Sequence, residues 1–202
     1  GFSGKVGNVV GGSWKGIDYM RIKPSNVANP RTPGQLDQRS KFALVLNFLQ
    51  PMTDFIRVGF KNYANKKSQF NSAMSYNLLN AITGDYPNQS IDYSNVLVSR
   101  GNLRGAANGN VTSTDPATVD FSWDDNTGSG AEANDKALLL VYNPSKGYAV
   151  FDTAGATRST GAQSLRVPED FIGDEVEAFI GFISDDGREV ADSAYVGMIR
   201  VA

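Results

Sequence analysis

The chain has 202 residues, 41% of them apolar and 20% charged, with a formal net charge of −2, the ordinary range for a folded protein. It contains neither cysteine nor histidine. Disulfides, thiolate metal sites, cysteine nucleophiles and Ser-His-Asp triads are therefore excluded, and the commonest metal ligand and general base are missing. No run of ~18 apolar residues occurs, so no helix that crosses a bilayer is expected. The small net charge conceals a division along the chain. Residues 1–84 carry eleven Lys/Arg against three acids, a formal +8, while residues 85–202 carry eight against eighteen, a formal −10. A split of that size points to a basic part that meets an acidic surface: nucleic acid, or the acidic part of another copy.

In chain order, Gly1–Gly12 is rich in glycine and β-compatible, with little side chain to bury. It suits strand addition to a neighbour's sheet, or the first strand of its own domain. From Asn8 the pattern is a hairpin: a strand through Val9, Val10 and Ser13, a turn near Lys15-Gly16, then Ile17–Lys23 with Ile17, Tyr19, Arg21 and Lys23 on one face. After a Pro/Asn-rich connector, Thr32-Pro33-Gly34-Gln35 predicts a capped helix start, and Pro51 predicts its end. Shorter helices are expected over Thr53–Asn62 and Gln69–Ile82, the last closed by Gly84 as a C-cap.

From Asp85 onward the texture is that of strands parted by Gly, Asn, Asp and Ser. Seven are predicted: Ser94–Ser99, Ala117–Trp123, Ala137–Tyr142, Tyr148–Phe151, Ser164–Val167, Glu175–Ser184 and Ala194–Val201. Val119, Phe121 and Trp123 alternate with Asp120, Ser122 and Asp124, one buried face and one wet; Val176, Ala178, Ile180 and Phe182 repeat the pattern. The expected fold is an α+β N-terminal part, a hairpin plus about three helices over 1–84, followed by an all-β sandwich over 85–202. Lacking disulfides, that sandwich compares better with fibronectin type III than with antibody immunoglobulin domains.

The runs FSGKVGNVVGGSWKG at Phe2–Gly16, NPRTPGQLDQRSKF at Asn29–Phe42 and SYNLLNAI at Ser75–Ile82 resemble an uncharacterised family of roughly 200-residue proteins from Bacteroidota and their phages. The resemblance implies the two-part plan and brings no activity, catalytic residue or cofactor with it.

Candidate site residues form an interface and not a catalytic centre. Phe2, Val6, Val9 and Val10 belong to the β-compatible terminus. Trp14 and Lys15 lie near the hairpin tip, where an indole can anchor in a neighbour or stack on a sugar. Arg21, Lys23, Arg31, Arg39 and Lys41 form the basic group around the hairpin exit and first helix. Lys66 and Lys67 read as a solvated loop. Asp124-Asp125-Asn126, Asp152 and Asp185-Asp186-Gly187 contain oxygen ligands of the calcium kind, but lack EF-hand spacing and read better as turns. The GKVGNVVGG run lacks the ending and the context of a phosphate loop.

These readings lead to a non-enzymatic, self-assembling structural subunit of an extracellular filament, surface layer or virion fibre, without cofactor or metal. Its expected partners are other copies, the basic part of one meeting the acidic sandwich of the next. The alternatives are a monomeric module that binds a carbohydrate or host surface, and a nucleic-acid-associated phage protein. Nucleic acid is disfavoured, because no basic stripe with interleaved aromatics is present.

Overall fold

The computed structural model describes residues 3–14, 16–26 and 31–202, apart from the side chain of Trp14. It divides into two compact units, Gly1–Gln35 and Leu36–Ala202.

The first unit is a three-stranded antiparallel sheet of β1 (Gly4–Val6), β2 (Val9–Trp14) and β3 (Ile17–Ile22), with β2 in the middle. Gly7, at φ +58°, and Gly16, at φ +83°, supply the left-handed backbone that the two tight turns require. Lys23 lies just past β3, and its backbone N–H donates to the Asn8 carbonyl. The glycine-rich terminus is thus already paired within its own chain. It is not a lone strand waiting for a neighbour's sheet, and the hairpin expected from Asn8 is a three-stranded meander.

The second unit begins within α1 (Pro33–Leu49), which starts where the Thr-Pro pair predicts: Thr32 Oγ1 accepts from the Gln35 N–H. Val45, Phe48 and Leu49 form its buried stripe. A short 3-10 turn at Gln50–Met52 absorbs Pro51, and α2 (Thr53–Gly59) follows with Phe55 and Ile56 buried. α3 (Gln69–Asn80) is capped by the Ser68 hydroxyl, which accepts from the Asn71 N–H at 3.1 Å. It ends two residues earlier than its apolar pattern suggests, because Ile82 and Thr83 form β4 (Ile82–Thr83) with β5 (Ser90–Ile91). Gly84 therefore serves the turn after β4 and caps no helix.

Seven strands make the sandwich: β6 (Ala107–Thr112), β7 (Thr118–Asp124), β8 (Lys136–Asn143), β9 (Tyr148–Asp152), β10 (Ala162–Arg166), β11 (Glu175–Ile183) and β12 (Ala194–Arg200). One sheet has the order β10-β7-β6, the other β12-β11-β8-β9, and every pairing is antiparallel. β8 and β11 are buried on both faces. Ala137, Leu139 and Val141 join Val176, Ala178, Ile180 and Phe182 in the core between the sheets, against Val119, Phe121 and Trp123. Leu138, Leu140, Tyr142 and Phe179 project the other way and pack against Val45, Phe48, Phe55 and Met74 of the helices. The molecule's larger unit is thus three layers deep: helices, four-stranded sheet, three-stranded sheet.

Two expectations are corrected by this packing. The helices are no part of an N-terminal domain ending at residue 84, because they share a hydrophobic core with the sandwich; the division between compact units falls at Gln35/Leu36. The second face of β11 is not wet, since helices cover it.

The predicted strand Ser94–Ser99 is also not a strand. Tyr93–Asn95 is a 3-10 turn, and the residues after it are held by side chains where a strand would be held by a ladder. Fully buried Asn77 donates to the Leu97 carbonyl at 2.9 Å and to Ala73 O, and its Oδ1 accepts from the Leu97 N–H. Ser193 Oγ accepts from the N–H groups of Val98 and Ser99. Gly59 lets α2 approach: a Cβ there would stand 2.5 Å from the Val98 carbonyl oxygen. The first strand of the sandwich is instead β6, a polar ANGNVT with a register shift between Ala107 and Asn110.

If Asn77 satisfies that segment, Asn77→Ala leaves the half-buried N–H and C=O of Leu97 unpaired, each toward the lower end of about 1–3 kcal/mol. Urea denaturation should then show a loss of about 2–5 kcal/mol; a loss of less than about 0.5 kcal/mol, the size of an ordinary surface change, would contradict the assignment.

Candidate assembly interface

Cross-strand partners in a sheet share a face, so the register of the first unit sorts its side chains. Val6 pairs with Val9 and Val9 with Ile22, one apolar row straight across three strands. The next row is Gly4, Gly11 and Met20, on the same face. Opposite lie Lys5, Val10 and Arg21 in one row, with Tyr19 beside Gly12 and Ile17 beyond. The sheet therefore has one apolar face and one basic, aromatic face.

Gly11 is the one buried residue among those described in the unit, and Val6, Met20 and Ile22 are exposed by 64%, 70% and 76%. Three strands with a hydrophobic face gain their stability by taking that face out of water. The outer edges of β1 and β3 carry no pairing strand among the described residues, which leaves backbone donors and acceptors available along both.

The predicted interface residues are partly brought together by this arrangement. Val6 and Val9 lie on the apolar face; Val10 and Arg21 lie on the other. Phe2, Lys15 and the side chain of Trp14 fall outside the described residues, and Arg31 is exposed just before α1. Arg39 and Lys41 sit on α1 in the second unit, where Lys41 pairs with Asp37 at 2.9 Å one helical turn away. The basic group is thus spread over both units. Met20, Ile22 and Lys5 were not singled out by sequence reasoning. Met20 and Ile22 occupy the second face of a strand whose other face drew attention, and Lys5 acquires its neighbours only through the β1–β2 turn.

Charge follows the same division. Gly1–Gln35 holds five Lys/Arg and one Asp, a formal +4, and Leu36–Ala202 holds fourteen against twenty acids, a formal −6. Part of the acidic excess lines a 410 Å³ groove at one end of the sandwich, with Glu132, Asp185, Asp186 and Glu189 in its wall.

The aspartates that resemble calcium ligands close turns. Asp125 Oδ1 accepts from the Thr127 N–H, Asp152 Oδ1 from Ala154 and Asp186 Oδ1 from Arg188. These bonds hold the Asp125 and Asp186 carboxyls below the usual carboxylate range, with the Thr127 and Ser184 hydroxyls the largest cause of each. Asn126 is engaged by a buried cation: Arg158 Nη1 donates to its Oδ1 at 2.6 Å. The Arg158 guanidinium is enclosed by Asp135 at 3.1 Å, by the carbonyls of Arg104 and Gly105, and by the Phe182 ring at 3.9 Å. Burial pulls its pKa down and the Asp135 contact opposes that. This group closes an end of the sandwich. Between sheet and helices, burial raises the Glu177 carboxyl, whose Oε2 accepts from the Tyr195 hydroxyl at 2.6 Å.

Over residues 1–197 the chain matches the model of a family of unknown function (DUF6266), and it belongs to that family. Among curated proteins none matches it. One solved structure similar to it is the solution structure of the fn3 domain of the human collagen alpha-1(XX) chain, at 12% identity and a TM-score of 0.38, over 50% of this chain and 86% of that one.

If the apolar face is an interface, Met20→Lys with Ile22→Lys should abolish self-association seen by sedimentation velocity. It should leave the denaturation midpoint of the second unit in place, shifting stability by no more than about 0.5 kcal/mol, as surface changes do. Unchanged association would remove this face from the account.

Proposed function

We propose that the protein is a non-enzymatic, self-assembling structural subunit of a filament, surface layer or virion fibre, in which the sheet of one copy docks on the Leu36–Ala202 unit of another. The observation that carries this reading is the row of exposed Val6 and Ile22 about half-buried Val9, with exposed Met20 beside it, on a sheet with little core of its own among the described residues. Covering a large aliphatic side chain is worth about 1.5–3 kcal/mol, so Val6, Met20 and Ile22 together supply a substantial drive. Opposite formal charges on the two units, +4 and −6, favour a sheet-to-sandwich contact over a sheet-to-sheet one. A contact between unlike surfaces is heterologous: it closes into a ring when the rotation allows and otherwise continues as a filament.

The sandwich fits such a scaffold role. Its first, second and fifth strands form one sheet and its third, fourth, sixth and seventh the other. In the constant-type immunoglobulin order the fourth strand lies with the first group. We read the present order as fibronectin type III-like, a rigid spacer carrying an adhesive arm.

Sedimentation velocity and negative-stain microscopy over a concentration series test the reading. Species larger than a monomer should grow with concentration, and the association should weaken but persist on moving from ~0.1 M to ~1 M salt, because screening removes the charge contribution and leaves the apolar one. Monomers at every concentration would overturn the proposal, and complete insensitivity to salt would remove its electrostatic part.

A further inference from the structure

A second surface, unconnected with the sheet, has the make-up of a binding site. Arg100 follows the segment that Asn77 and Ser193 pin in place, and its own backbone N–H donates to the Gly59 carbonyl at 2.9 Å. Its guanidinium carbon lies 4.5 Å from the centre of the Tyr63 ring and 5.0 Å from that of Tyr76, well inside the ~6 Å range of cation–π attraction. Both rings are themselves anchored. Tyr76 rides on α3, and the Tyr63 carbonyl accepts from the hydroxyl of buried Ser72, also on α3, at 2.6 Å. The cation is thus held from three directions by backbone and aromatic contacts.

None of these contacts uses its side-chain donors. Among the described residues the Arg100 guanidinium has no carboxylate partner and no hydrogen-bond acceptor, and a planar fork of N–H groups is left over. Arg158 is the internal contrast, since its guanidinium donates to a carboxylate, a side-chain amide and two carbonyls. Arg100 opens on a cavity of 350 Å³ that Lys67, Ser75 and Asn80 also line, and no acidic residue lines it. Asn80 donates its amide N–H to the Tyr76 carbonyl, which leaves its Oδ1 as an acceptor. Two cations without an acid stand here on a unit whose formal charge is −6.

We infer that this cavity is a binding site for an oxyanion group, a carboxylate or a phosphate, received by the Arg100 fork with Lys67 beside it. Guanidinium geometry matches both groups through paired N–H donors. Stacking between two rings fixes the orientation before the ligand arrives, so less side-chain entropy is lost on binding. Ser75 adds a hydroxyl donor, and Asn80 an acceptor for a neighbouring hydroxyl of the ligand. The site does not depend on self-assembly.

The test is an NMR titration of the full chain, following the Arg100 Nε–Hε signal as sodium phosphate or sodium acetate is added at constant ionic strength, with chloride as control. Saturable shifts at Arg100 and at Ser75–Asn80 are expected with at least one probe, and the probe that saturates first identifies the class of oxyanion. Arg100→Lys keeps the charge but loses the fork and should weaken binding about tenfold or more, the scale of one charge-assisted hydrogen bond. Lys67→Ala, at an exposed position, should weaken it several-fold without moving the thermal midpoint. Shifts that stay linear and equal to the chloride control for both probes would overturn the inference, as would unchanged affinity in Arg100→Lys.

Discussion

The structure depends on one constraint: the four-stranded sheet is apolar on both sides. The run Ala137-Leu138-Leu139-Leu140-Val141-Tyr142 sends alternate side chains to opposite faces, and β11 does the same with Val176, Ala178 and Ile180 against Phe179. A sheet of this kind in water must be covered twice. The three-stranded sheet covers one face and the helices the other, where Phe48 meets the Tyr142 ring edge-on at 5.0 Å and Phe55 meets Phe151 at 5.7 Å. From that requirement follow the shared core, the close approach at Gly59 and the side-chain staples of Asn77 and Ser193 that let the chain pass from helices to sandwich without a ladder.

The same requirement is not met within the first unit. Both faces of β8 and β11 are already covered within Leu36–Ala202, and the sheet of β1, β2 and β3 has no apolar layer of its own to rest on. Its aliphatic row therefore has no apolar layer over it among the described residues of its unit. Tightness in one part of the chain and incompleteness in another make the assembly reading physical, whereas charge asymmetry alone would leave it a pattern. The Arg100 cavity shows the opposite economy, a cation held rigidly and left with its donors unused.

Much of the fold was legible because hydrophobic period is a strong signal. Thr32-Pro33 marked the start of α1, and Val119-Phe121-Trp123 marked β7. Other parts were hidden for definite reasons. β6 has Val111 as its main apolar residue and a bulge, so it reads as a loop. Ser94–Ser99 has strand-like Val96 and Val98, but its amides are satisfied by Asn77 and Ser193, residues 20 and about 95 positions away in sequence. No local pattern reports such partners. Composition marked residues 1–84 as a basic part, whereas contacts place the division at Gln35/Leu36, because a charge count does not record which apolar faces meet. The candidate interface was half legible: Val6 and Val9 were, while Met20 and Ile22 needed the register of β2 against β3. Arg100 was not legible, since nothing in its sequence neighbourhood indicates Tyr63 and Tyr76.

The central claim is that the apolar face of the sheet of β1, β2 and β3 is covered by another copy. Hydrogen exchange followed by mass spectrometry, at protein concentrations below and above the onset of association, tests it most directly. Amides of residues 4–22 should become more protected as concentration rises, together with a local patch of residues 36–202 where the sheet docks, while protection of the buried strands β8 and β11 stays constant. Protection of residues 4–22 that is already high in the dilute monomer and does not change with concentration would contradict the account.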